Sequence, residues 1–170
     1  GMGFKRFSRY IMKKNKAIRL RHVGIVVSNL KKAIEIYTEY LGCEVIGNYL
    51  DLSGDYQGTL VGIKDVIMDV AILRTLDDNR IELLEYKNCP GKKRKPVLSN
   101  DIGASHFAIT VSDLNSLYES RNMFDVKFIS KPLLSPDNFV KVAYVKIMNE
   151  CIVELVQVLD ERAKHSGGKI

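Results

Sequence analysis

The feature that most constrains this chain is an internal repeat. His-Val-Gly-Ile-Val-Val-Ser-Asn-Leu over 22–30 is matched by His-Phe-Ala-Ile-Thr-Val-Ser-Asp-Leu over 106–114. Each copy reads as a histidine, five mostly apolar residues, a serine, then Asn29 or Asp113 and a leucine. An apolar, β-rich run ending in such a residue marks a strand that hands over to a capped helix. A chain that repeats a unit of this kind folds as that unit twice.

The two copies also end alike. Ile81-Glu82-Leu83-Leu84 corresponds to Val153-Glu154-Leu155-Val156, each with one acid inside an apolar β-run. After the first strand, Ala33, Ile34, Ile36, Tyr37, Tyr40 and Leu41 predict a helix over 30–41, closed by Gly42. Leu114, Leu117 and Tyr118, extended by Arg121, predict its counterpart over 113–122. Further strands are predicted near 43–50, 66–74 and 80–86, and again near 126–130, 139–147 and 151–158. Residues 58–63 add a short helix to the first copy. The order is strand, helix, three strands, twice: an α+β fold of two tandem βαβββ modules. The expected organisation is a basic arm at 1–17, module one at 18–88, a linker at 89–102, module two at 103–159 and a tail at 160–170.

Charge and cysteine content narrow the function classes. The formal net charge is +6. Lys5, Arg6, Arg9, Lys13, Lys14, Lys16, Arg19 and Arg21 place eight positives and no acid in the first 21 residues, leaving 18 positives against 20 acids elsewhere. The body is therefore close to neutral, which points away from nucleic acid as a partner, and the arm reads as a solvated terminus. Lys92–Lys95 in the linker and Lys164–Lys169 in the tail read the same way, as solvated charge. No apolar run is long enough to span a membrane, and the N-terminus lacks the apolar core of a secretory signal. Gly1 before Met2 reads as a tag-cleavage scar. Cys43, Cys89 and Cys151 are odd in number and widely spaced, which argues against a disulfide framework and for a reducing, cytoplasmic setting.

Four residues require an explanation. A carboxylate in an apolar strand is costly to bury unless something neutralises it. Glu82 shares a strand face with Leu84, and Glu154 shares one with Ile152 and Val156. His22 and His106 share faces with Gly24 and Ala108, whose small side chains leave room beside the imidazoles. Alone, each is an ordinary strand residue. As equivalent positions of a doubled unit, they would meet when two modules pair about a pseudo-twofold axis. Two imidazoles and two carboxylates form a ligand set for one borderline divalent metal: Zn, Ni, Co, Mn or Fe. Such a set leaves positions open for a substrate.

The ordered set 22–27, 81–85, 106–111 and 153–155 resembles the vicinal oxygen chelate superfamily, which includes glyoxalase I and methylmalonyl-CoA epimerase. The resemblance spans residues 18–159. It implies a cupped mixed sheet around the metal, held by His22, Glu82, His106 and Glu154, and a homodimer. It further implies a lyase or isomerase that moves a proton next to a carbonyl through an enediolate, on a small carbonyl or thioester substrate. Glu154 is then the base and Glu82 the second candidate.

Two alternatives share the fold. An extradiol-type dioxygenase would use two histidines and one glutamate around Fe(II), against which Glu82 stands as an extra ligand. A drug-binding protein would lack the ligand set. The sequence departs from the family where Ile147-Met148-Asn149-Glu150 replaces an Asp-Pro-x-Gly turn, and where the long gap between Glu82 and His106 matches the epimerase layout. Glu85 reads as a surface charge, Tyr37, Tyr56 and Tyr144 as packing residues, and Arg74 and Arg80 as conceivable anion clamps.

Overall fold

The computed structural model describes residues 17–92 and 98–162. Nearly all of the basic arm, most of the Lys92–Lys95 run and the tail with His165 lie outside the described residues.

The first module runs β1 (Val23–Val26), α1 (Leu30–Glu35, continuing as a π-helical turn over Ile36–Tyr40), β2 (Glu44–Leu52), α2 (Asp55–Val61), β3 (Met68–Arg74) and β4 (Arg80–Tyr86). The second runs β5 (His106–Thr110), α3 (Leu114–Ser120, then a 3-10 turn over Arg121–Met123), β6 (Val126–Phe128), β7 (Leu133–Leu134), β8 (Val140–Ile147) and β9 (Cys151–Val158). Each module closes its own mixed sheet. The strand orders are β1-β4-β3-β2 and β5-β9-β8-β6, with β7 added beside β8. In both, the first strand is parallel to the last, and the remaining neighbours are antiparallel.

The repeat extends to how the helices are started. Asn29 accepts from the Lys32 backbone N–H at 2.9 Å, and Asp113 accepts from Ser116 at 3.1 Å. Deeper in each module, a side chain from the last strand takes the next free donor. Glu85 accepts from the Leu30 N–H at 2.7 Å, and Gln157 accepts from Leu114 at 3.0 Å. Glu85 is therefore not a free surface charge. It satisfies one of the donors that the first turn of a helix leaves open.

The first helix differs from its expected course by widening to a π-turn after Glu35. There the Leu41 N–H reaches Ile36 O, five residues back, at 3.1 Å. The wider turn keeps Ile36, Tyr37 and Tyr40 all on the buried side. Gly42 then closes the helix at φ 74°, a left-handed conformation that suits glycine. The missing Asp-Pro-x-Gly turn is replaced by a tight hairpin: Met148 and Asn149 both have positive φ (53° and 55°), and Glu150 N–H bonds Ile147 O at 3.0 Å.

One core serves both modules. It joins Ile25, Ala71, Leu73, Ile81 and Leu83 of the first sheet to Ile109, Ala143, Val145, Val153 and Leu155 of the second. Ala33, Ile36, Tyr37 and Leu114 of the helices lie among them. Strand alternation makes every one of these sheet residues a member of the face that lacks His22, Glu82, His106 and Glu154. Polar ties reinforce the junction. Glu150 accepts from Ser28 through its backbone N–H at 3.2 Å and through its hydroxyl, Lys32 pairs with Asp125 at 2.6 Å, and the Tyr40 hydroxyl donates to Leu117 O.

The Tyr37 hydroxyl is buried beside Cys43 and Cys151 and makes no hydrogen bond of ordinary geometry. Burial pushes its acidity far out of the usual phenol range. Burial also raises Cys151 to about 11, and raises Tyr40 to about 12 against the opposing pull of Arg121. These groups fold in their neutral forms, so above pH ~9 the native state holds protons that the unfolded chain has released. Stability is then complete below pH ~9 and declines as the pH rises through ~9 to ~12. Urea midpoints measured across that range should fall continuously, and Tyr37→Phe should lessen the fall. A midpoint flat to pH 11 would show that these groups titrate alike folded and unfolded.

Candidate metal and substrate site

One face of each sheet joins the shared cluster together with the helices, and the other face points outward from it. All four residues singled out by the repeat lie on those outward faces. In module one, register pairs Gly24 with Glu82 and Glu82 with Ile72, and His22 stands just before β1. In module two it pairs Ala108 with Glu154 and Glu154 with Tyr144, and His106 opens β5. Small residues do stand beside each imidazole. A Cβ added at Gly24 would meet only Leu84 Cδ1, at 3.7 Å, an ordinary contact that matches the alanine in the other copy.

Within each module the structure brings the pair together. His22 Nε2 lies 3.8 Å from Glu82 Oε2, and His106 Nε2 lies 3.2 Å from Glu154 Oε2. It does not bring the pairs to each other: among the described residues, no group of three or more His, Cys, Asp or Glu side chains is placed to hold a metal ion. The expectation that the glutamates are buried also fails. Their side chains are each 24% exposed and the histidines 40% and 42%.

The donor set passes a simple fit test. Two ligand atoms about 2.1 Å from one cation, at angles between square and tetrahedral, lie about 3.0–3.5 Å apart. The second pair falls in that window, and the first is slightly wider. The His106–Glu154 pair therefore has the spacing of two adjacent ligands, and His22–Glu82 stands just outside it as the matching half-site.

The second half-site carries more than a ligand pair. The Tyr144 hydroxyl is 3.1 Å from His106 Nε2, and the two rings lie 4.8 Å apart, tilted by 46°. Tyr144 thus faces the cup and not the core. Tyr37 is packed in the core, and Tyr56 is highly exposed on α2. Reading Tyr144 correctly from sequence needed the register of β8 against β9, which no local pattern provides. Of the two arginines, Arg74 already binds Glu44, with Nε at 2.9 Å and Nη2 at 2.8 Å, and Arg80 stands opposite it on β4.

The fold agrees with comparisons to known proteins. A family model described as the Glyoxalase/Bleomycin resistance protein/Dioxygenase superfamily matches residues 21–144, a span that holds His22, Glu82 and His106. The chain belongs to that superfamily. Among curated proteins, it is 30% identical over 105 residues to a 2-epi-5-epi-valiolone epimerase from Actinomyces sp.. That match covers 61% of this chain and 57% of the relative, so the chain spans little more than half the relative's length. Among solved structures, a glyoxalase family protein from Bacillus cereus superposes with a TM-score of 0.78 at 23% identity, covering 86% of this chain and 98% of that one. The trypanothione-dependent glyoxalase I of Leishmania major gives a TM-score of 0.59 at 20% identity, covering 89% and 92%. At these identities the two structures establish the shared fold. No helix among the described residues is long and apolar enough to cross a membrane.

Proposed function

We propose that this protein is a metal-dependent isomerase or lyase that moves a proton on the carbon beside a carbonyl or thioester of a small molecule, in sites completed by a second copy of the chain. The observation that carries the reading is the duplicated His–Glu pair. Two equivalent half-sites lie on equivalent sheet faces, opposite the shared core, and among the described residues the single chain does not bring them together. A twofold homodimer that sets module one of one copy against module two of the other would unite His22 and Glu82 with His106 and Glu154 of the partner copy. The symmetry would make two such sites at once. Glyoxalase and epimerase names among the relatives favour proton transfer over the other chemistries of the superfamily.

The four side chains would hold one divalent cation: Zn, Ni, Co, Mn or Fe. When bound, the cation supplies Lewis acidity that draws charge from a substrate oxygen and makes the neighbouring C–H easier to ionise. The remaining work belongs to the chain. Glu154 sits on a rigid central strand and takes the proton from carbon and returns it. Tyr144, paired with Glu154 on the adjacent strand, places a hydroxyl beside the same imidazole and can hold a substrate oxygen. In the Nδ1–H tautomer of His106, the Nε2 lone pair that accepts from Tyr144 is the one a ligand bond would use.

Deuterium incorporation from D2O into a panel of α-hydroxycarbonyl compounds, hemithioacetals and acyl thioesters, with metal content by mass spectrometry, tests this. Purified protein should carry about one divalent ion per chain. Glu154→Gln should keep measurable metal and lose about 10²–10⁴-fold in exchange. Unchanged exchange in that variant would remove Glu154 from the reaction.

A further inference from the structure

We propose that Lys127 and Lys146 form an anion clamp that binds an acidic group of the substrate, a carboxylate or a phosphate ester, beside the His106–Glu154 pair. This inference rests on the reading of that cup as an active site. Register places His106, Ile152, Lys146 and Lys127 in one row across β5, β9, β8 and β6. Alternation fixes the face. Lys146 is two residues from Tyr144, which lies against His106, and Lys127 sits between Val126 and Phe128, which belong to the core.

The other module provides an internal control. Its corresponding row ends in Arg80, Arg74 and Glu44 across β4, β3 and β2. There the outer strand brings a carboxylate, and Arg74 is bound to it through two nitrogens. In module two the place of that carboxylate is taken by Lys127. Two ammonium side chains thus stand opposite each other on neighbouring strands, a pairing that destabilises a sheet. Neither takes part in an ion pair among the described residues. A local arrangement that works against stability, on the face that carries the site, is expected where function uses it.

The geometry also gives the ligand a length. With strands about 4.8 Å apart, the Lys146 backbone lies about 10 Å from that of His106, with Ile152 between them in the row. Ile152 is only 6% exposed and floors the space between. The fitting compound carries its reactive carbonyl at one end, a short apolar stretch, and the anionic group at the other.

The test follows backbone amide shifts of the full chain titrated with inorganic phosphate and, in a second arm, with acetate. Saturable shifts at Lys127 and Lys146 are expected, with the stronger arm telling phosphate ester from carboxylate. Lys127→Glu, which writes the module-one pattern into module two, should weaken that binding at least about tenfold and raise the thermal midpoint, so the loss is not unfolding. Neither anion producing saturable shifts there, or shifts that survive Lys127→Glu, would overturn the clamp. Nickel uptake is followed in parallel. Anion binding with no metal uptake by the wild-type chain would leave the clamp standing and remove the metal-dependent reading instead.

Discussion

Refolding two inactive variants together should restore about one quarter of the wild-type metal sites. One variant is His22→Ala with Glu82→Ala, and the other is His106→Ala with Glu154→Ala. Each alone has a broken half in every site and should retain no tightly bound nickel after gel filtration. Random association makes half of the dimers mixed, and each mixed dimer has one site built from two intact halves and one from two broken halves. The quarter is thus a count of geometry, independent of any substrate. Sites contained within single chains would return nothing on mixing, and that result would end the shared-site account. The separation of the two His–Glu pairs within one chain, with no larger ligand group among the described residues, is what makes the positive result expected.

Leu83→Ala should be the most damaging of the conservative core changes, at about 2–5 kcal/mol. Leu83 is fully buried on β4, between Ile25 of β1 and Ala71 of β3, in the cluster that both sheets share. Because that cluster is continuous, the modules should unfold together. Pulsed thiol labelling in urea reads both at once, through Cys43 beside the first helix and Cys151 at the start of β9. The two labelling midpoints should coincide in the wild type and move down together in Leu83→Ala. Separate midpoints would mean that the modules hold themselves up independently.

The repeat made much of this legible. Matching His22 to His106 and Glu82 to Glu154 located the strands, the capped helices and the faces carrying the site, because side-chain alternation in a strand follows from position alone. What it left out depends on neighbours distant in the chain. Whether the sheets stack through their helices or close into one cup is decided by which apolar faces meet. Both faces of β4 look alike in sequence: Ile81 and Leu83 against Glu82 and Leu84. That is why the four ligands read as one buried cluster when the single chain separates them into two open pairs. Glu85 was illegible for the same reason, since its partner, the Leu30 N–H, is brought near only by the parallel pairing of β1 and β4. Lys127 and Lys146 become a pair only once β6 is known to lie beside β8.

The helices sandwiched between the sheets have an evolutionary consequence. On β8 and β9, alternate residues serve different masters: Ala143, Val145, Val153 and Leu155 hold the molecule up, while Val142, Tyr144, Glu154 and Val156 meet whatever enters from outside. A library that randomises the second group should yield mostly folded protein with new ligand preferences, and one that randomises the first should yield mostly aggregate. Selection can therefore try new chemistries on this scaffold without risking collapse, which gives a physical reason for resistance proteins, isomerases and dioxygenases to share one architecture.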